Sequence, residues 1–159
     1  MRSFTKNLNL SNSLDKREYE IVSHLIKHPY QEKCKNIVTI LDLTPEAIVM
    51  EKLDTNKKPD DRFQSDMDAA VEYLNSIGIV YIDWKHDNIG FSHIDNCWKL
   101  FDFNVSGLVD LAKPLQWIVE PDPMCWMYTQ IEKHIETNNI QLHSYIEYDT
   151  IARRLYLKS

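Results

Sequence analysis

The period of the apolar residues changes several times along these 159 residues, and those changes constrain the fold more than any other feature. Residues 14–28 place Ile21, Val22, Leu25 and Ile26 on one helical face, with Ser13 and Asp15 as caps and Pro29 just past the end. "NIVTILDL" (36–43) and "EAIVMEKL" (46–53) are β-branched runs joined by Thr44-Pro45, a pattern that predicts an antiparallel hairpin. "TNKKPDD" (55–61) is a polar connector. A second helical period follows in Met67, Ala70, Val71, Leu74 and Ile77, with Gly78 placed to end it. "IVYI", "IGFSHI" and "CWKLFDF" predict short strands, and the tail from Met124 predicts two helices with Ile131, Ile135, Ile146, Ile151 and Leu155 inward. The expected architecture is α+β: one domain of two small lobes, residues 1–53 and 54–159, the first ending in a hinge.

Composition narrows the functions open to such a chain. With 43% hydrophobic residues, 26% charged and three glycines, it reads as globular. The net charge of −6 is spread along the chain without basic blocks, which argues against a nucleic-acid footprint. An anionic ligand therefore needs a local group of cations or metal ions to override the global field. Cys34, Cys97 and Cys125 are odd in number and widely spaced, as expected of free thiols in a reducing, intracellular compartment. "MRSFTKNLNLSNS" has no apolar h-region, and no stretch approaches 18 apolar residues, so neither secretion nor a membrane span is expected.

The chemistry concentrates in "YIDWKHDNIG" (81–90) and "FDFN" (101–104). Moving a phosphoryl group needs a carboxylate to orient or deprotonate the acceptor hydroxyl, a cation on the moving group, and Mg²⁺ on the phosphate oxygens. Asp83 fits the first role and Lys85 the second. Asn88 and Asp102 offer the oxygen ligands that Mg²⁺ prefers. Loops between short strands are where such groups are usually carried.

These residues resemble the catalytic loop and the D-F-G turn of the protein kinase superfamily, in the family's order and with similar separation. D-x-K-x-x-N alone arises by chance in about 2% of chains this long, so it is the later Asp-Phe that makes coincidence a poor explanation. The resemblance covers roughly residues 15–107. It implies a kinase-like fold with a reduced upper lobe, an αC-like helix plus a small antiparallel sheet, and an abbreviated, mainly helical lower lobe. It also implies ATP and Mg²⁺ as cofactors, with Asp83 and Lys85 catalytic, Asn88 and Asp102 holding metal, and Phe103 and Asn104 supporting the turn. "REYEIVSHL" is similar to the family's αC helix, making Glu18 the partner of the phosphate-anchoring lysine. "AIVMEKLD" is similar to the strand entering the hinge, which places Met50 behind the adenine and Glu51 to Leu53 along its edge. Lys85 two residues after Asp83 is similar to serine/threonine kinases, which favours a protein hydroxyl as acceptor. The wording of the loop is also similar to short kinase-like proteins of large DNA viruses, which would place the chain in the host cytoplasm.

The chain departs from the family as well. It has no G-x-G-x-x-G, since Gly78, Gly90 and Gly107 all come later. The candidate anchoring lysine is Lys6, twelve residues before Glu18, if "RSFTK" forms a strand; the other reading is a solvated N-terminal lysine. Tyr81 and Ile82 replace His-Arg before Asp83, and Asn104 replaces the final Gly, where tolerance of positive φ would preserve the turn. Asp122 is a candidate brace for the catalytic loop. Two functions follow: a minimal serine/threonine kinase with weak nucleotide binding, or a kinase mimic that binds a cellular kinase, another protein or its own copy through an open sheet edge in the upper lobe. His24, His28 and Cys34 read as ordinary helix-side residues rather than as metal ligands.

Overall fold

The computed structural model describes residues 2–158, excepting the Lys158 side chain, and has an α+β fold with small antiparallel sheets. Strand β1 (Ser3–Asn7) precedes helix α1 (Ser13–Ile26). The N-cap of α1 is Asn12, one residue before Ser13 and three before Asp15, the expected caps. Its side chain accepts from the backbone N–H groups of Leu14 (2.9 Å) and Asp15 (3.3 Å), satisfying donors that a helix start leaves over. A short helix α2 (Tyr30–Lys33) leads to strands β2 (Ile40–Thr44) and β3 (Ala47–Glu51), the expected hairpin. Strand β1 pairs antiparallel with β3, so the upper sheet runs β1-β3-β2 and "RSFTK" does form a strand.

Only the second half of the 36–43 run is strand. Ile37 and Val38 are buried against the lower part of the molecule, where Ile37 bridges Leu100 and Val38 N–H donates to its carbonyl at 3.0 Å. Tertiary burial has overridden β-propensity there.

Helix α3 (Phe63–Ser76) buries Met67, Ala70, Val71 and Leu74, the stripe expected from its period. It ends at Gly78, whose φ of +87° is a left-handed stop and whose Cα faces the Val109 carbonyl so closely that a Cβ would sit 2.8 Å from that oxygen. Strand β4 (Ile79–Val80) enters the 81–90 loop, which closes with a 3₁₀ turn (His86–Asn88) and runs into β5 (Ile89–Ser92) and its partner β6 (Cys97–Leu100).

Strands β7 (Gly107–Asp110) and β8 (Lys113–Val119) form a hairpin where the sequence pattern predicts no element, and β7 pairs with β4. Helices α4 (Trp126–Thr137) and α5 (Glu147–Lys158) pack on each other and complete the lower part. One hydrophobic cluster runs from Leu8 through Ile21, Ile48 and Leu74 to Ile131 and Ala152. No described helix is long and apolar enough to cross a membrane.

Candidate active site

The site lies where β1, α1 and the two loops after β4 and β6 converge. Lys6 Nζ is 2.6 Å from Glu18 Oε1 and 3.5 Å from Asp102 Oδ1. The alternation of β1 turns Phe4 and Lys6 toward the cleft and leaves Ser3, Thr5 and Asn7 on the other face. The reading of Lys6 as a solvated terminal lysine is therefore not the observed arrangement. Glu18 is 1% exposed, and its second oxygen accepts from Phe103 N–H at 2.9 Å, tying α1 to the 101–104 turn. Burial works against the Lys6 ammonium, but Glu18 and then Asp102 outweigh it and hold its pKa above the ordinary lysine value. Burial pushes the Glu18 carboxyl up, opposed by Lys6.

Asn88 is buried, and its amide nitrogen donates both to the Asp83 carbonyl (2.9 Å) and to Asp83 Oδ2 (3.1 Å). That commits its nitrogen and leaves its carbonyl oxygen for another partner. Lys85 Nζ lies 3.7 Å from Asp83 Oδ2, on an exposed side chain. Asp102 has φ +67°, a left-handed backbone that turns its carboxylate toward Lys6. The positive φ expected at Asn104 thus sits two residues earlier. Asn104 instead gives its carbonyl to Arg17 Nη1 at 3.3 Å, while Arg17 Nε donates to the Glu120 carbonyl at 2.9 Å. Phe103 is 1% exposed and packs edge-on against Tyr81, with ring centroids 5.6 Å apart.

A cleft of about 180 Å³ lies beside this group, lined by Phe4, Val38, Met50, Glu51, Leu53 and Phe101. Met50 and Leu53 both line this cleft. The Leu53 N–H and C=O take no hydrogen bond among the described residues. Glu51 also lines the cleft, while its carboxylate points away from it into the protein, 2.5 Å from buried Lys99. A second hollow of about 430 Å³ opens on the other side of Asp83 and Lys85, walled by Trp84, Val105, Trp126 and Tyr156.

Several site residues were not legible beforehand. The Tyr81 hydroxyl donates to the Phe101 carbonyl, joining the two loops from the position that departs from the resemblance. Asp149, from α5, is fully buried and accepts from Tyr81 N–H at 3.2 Å. With its amide nitrogen facing these oxygens, Asn75 donates to Asp149 Oδ2 (2.6 Å) and to the Ile79 carbonyl (3.0 Å). Burial drives the Asp149 carboxyl well above its ordinary pKa, only partly offset by Tyr81 N–H and the Trp84 indole. Asp149 thus braces the 81–90 loop, the role expected of Asp122. Asp122 caps its own turn, accepting from Met124 N–H at 3.0 Å. Nothing local in the sequence distinguishes Asp149, because its partner lies 68 residues earlier.

His24 Nε2 contacts the Ile77 carbonyl (2.6 Å) and His28 Nδ1 the His24 carbonyl (2.9 Å). Among the described residues no three His, Cys, Asp or Glu side chains converge as ligands. The donor set that fits Mg²⁺ is the smaller one of Asp102 and Asn88, a carboxylate and an amide oxygen, since this ion keeps much of its water. Compared with known proteins, the chain matches no family model and no curated protein.

Proposed function

We propose that this chain is a minimal protein kinase-like phosphotransferase that moves the γ-phosphoryl group of ATP to a Ser or Thr hydroxyl of a protein, acting in the cytoplasm of a cell or viral host. The observation that carries this reading is the convergence of Lys6, Glu18 and Asp102 within 3.5 Å beside the Asp83–Asn88–Lys85 loop. The lysine–glutamate pair and the metal-binding aspartate are the parts that must be in place together for this chemistry. In the reduced upper lobe, Lys6 is the cation placed beside Glu18 and Asp102 to anchor phosphate oxygens. The cleft beside Met50 and Leu53 takes the base.

Asn88 orients the Asp83 carboxylate, which accepts the proton of the acceptor hydroxyl. Lys85 is near enough to Asp83 to neutralise charge on the moving group. Mg²⁺, held by Asp102 and Asn88, would supply charge neutralisation across the phosphates. The hollow beyond Asp83 gives a protein segment access to that carboxylate.

A second reading has its own support. The pairing of Arg2 and Leu8 with the hairpin leaves the backbone of Ser3, Thr5 and Asn7 facing outward on the free edge of β1. Such an edge accepts a strand from a partner kinase or a second copy, as a kinase mimic would use it.

Thermal unfolding separates the two. ATP with Mg²⁺ at 100 times Kd adds about 2.7 kcal/mol, or about 5–11 °C for a domain this size. We expect a shift of that order that requires Mg²⁺ and is lost in Asp102→Asn. Asp83→Ala should keep the shift and lose phosphoryl transfer to a protein substrate. No shift at millimolar ATP would leave the binding module as the surviving reading.

A further inference from the structure

Below the base cleft is a buried ionic cluster that the proposed chemistry does not use. Lys99 Nζ lies 2.5 Å from Glu51 Oε1, 2.6 Å from Asp95 Oδ2 and 3.2 Å from Thr39 Oγ1. The other Glu51 oxygen accepts from Ser92 Oγ at 3.0 Å, and Oε1 also accepts from Thr39 N–H at 3.0 Å. Ser92 Oγ in turn accepts from Asp95 N–H at 3.1 Å. Glu51 is 2% exposed and Lys99 1%. Burial disfavours the Lys99 ammonium, yet its contacts to Asp95 and Glu51 more than compensate and raise its pKa, so it is charged at neutral pH. Buried pairs of this kind are poor sources of stability compared with apolar packing, so their value here lies elsewhere.

Its position says where. Glu51 sits between Met50 and Leu53, the two residues that present the cleft to a base. Around it the chain leaves β3 and descends: Lys52 N–H is held by the Arg2 carbonyl at 3.0 Å, and Asp54 exchanges two 2.9 Å backbone bonds with Phe91. Just ahead of those two anchors, the Glu51 carboxylate ties the end of β3 to the β5–β6 hairpin beneath it, and beyond them Asp54 Oδ2 meets His93 Nε2 at 2.9 Å.

We propose that Lys99 is a positioning residue for base recognition. Through Glu51 it fixes the 51–53 backbone so that the Leu53 N–H and C=O meet the hydrogen-bonding edge of an adenine. The inference rests on the proposed nucleotide site but concerns only its base half. It makes that half preorganised, independent of the metal and of the phosphate anchor at Lys6.

The test uses two separate probes, adenosine without phosphate and inorganic tripolyphosphate with Mg²⁺, titrated calorimetrically into the full chain. Lys99→Met alone leaves Glu51 without its buried counter-ion, so the double variant Glu51→Gln with Lys99→Met, which removes both charges, is measured beside it, with Ser92→Ala as a milder lesion. We expect adenosine affinity to fall at least tenfold in the folded double variant and a few-fold in Ser92→Ala, with tripolyphosphate binding unchanged. Unchanged adenosine binding in the double variant, or an equal loss for both probes, would overturn the proposal. Wild-type protein that binds tripolyphosphate but not adenosine overturns this inference and leaves the phosphate site standing. Wild-type protein that binds neither probe nor ATP with Mg²⁺ overturns the nucleotide reading and this inference together.

Discussion

A carboxyl group at Asp149 costs the protein stability in a pH-dependent way. Its pKa is raised in the fold by burial, so the folded chain holds this proton in a range where the unfolded chain has released it. The contribution is complete below the unfolded carboxylate value near pH 4 and is lost as pH rises through the folded value, at about 1.4 kcal/mol per pH unit. Asn at this position keeps a neutral acceptor for Tyr81 N–H at every pH. We therefore expect the unfolding free energy of Asp149→Asn, relative to wild type, to rise as the pH increases above 4 in urea titrations. A pH-independent difference would mean that Asp149 is ionised in the fold. The same contrast explains which residues were legible in the sequence. Asp83, Lys85, Asn88 and Asp102 announce themselves by type and spacing within two short stretches. Asp149, Tyr81 and Lys99 act through contacts set by the fold: Tyr81 N–H with Asp149, the Tyr81 hydroxyl with the Phe101 carbonyl, and Lys99 Nζ with Glu51.

At the level of elements, the connection between β3 and the lower hairpin depends on one missing side chain. A Cβ at Gly90 would stand 2.5 Å from the Leu53 Cβ, an atom fixed to the backbone that cannot swing aside. Gly90→Ala should therefore push residues 53–54 off β5, weakening the paired bonds between Asp54 and Phe91. Overpacking of this kind costs about 1–3 kcal/mol. The urea midpoint should drop accordingly with little change in slope, and adenosine affinity should fall with it, since Leu53 moves. A midpoint equal to wild type would show that the connection yields without cost. The elements that the sequence concealed have physical reasons. Strand β8 opens with Lys113-Pro114 and shows no clean alternation of burial, because it is an edge strand joined to β7 through register shifts. Helices α1 and α3 and strand β3 were legible because each buries one continuous face.

Over the whole molecule, the expected division at residues 53 and 54 is crossed by many bonds. Leu100 N–H donates to the Asn36 carbonyl (2.9 Å), Asn36 Nδ2 to the Trp98 carbonyl (2.9 Å), and Phe103 N–H to Glu18 (2.9 Å). Lys99 reaches Glu51 and Thr39 across the same line, and Arg17 reaches the Glu120 carbonyl. The hydrophobic cluster is also continuous across it. A chain of 159 residues with this much cross-bracing should unfold as one unit, even though the sequence pattern divides it in two. Native-state hydrogen exchange tests this directly. The amides of Val22 in α1 and Ile48 in β3 should exchange with the same opening free energy as Leu74 in α3 and Leu100 in β6. Much lower values for Val22 and Ile48 would mean that the upper sheet and α1 open separately. The proposed base-binding edge would then form only when the upper part docks, and any nucleotide affinity would carry the free energy of that docking. Equal values would mean that the cleft at Met50 and Leu53 is held in its binding shape by the global stability of the fold.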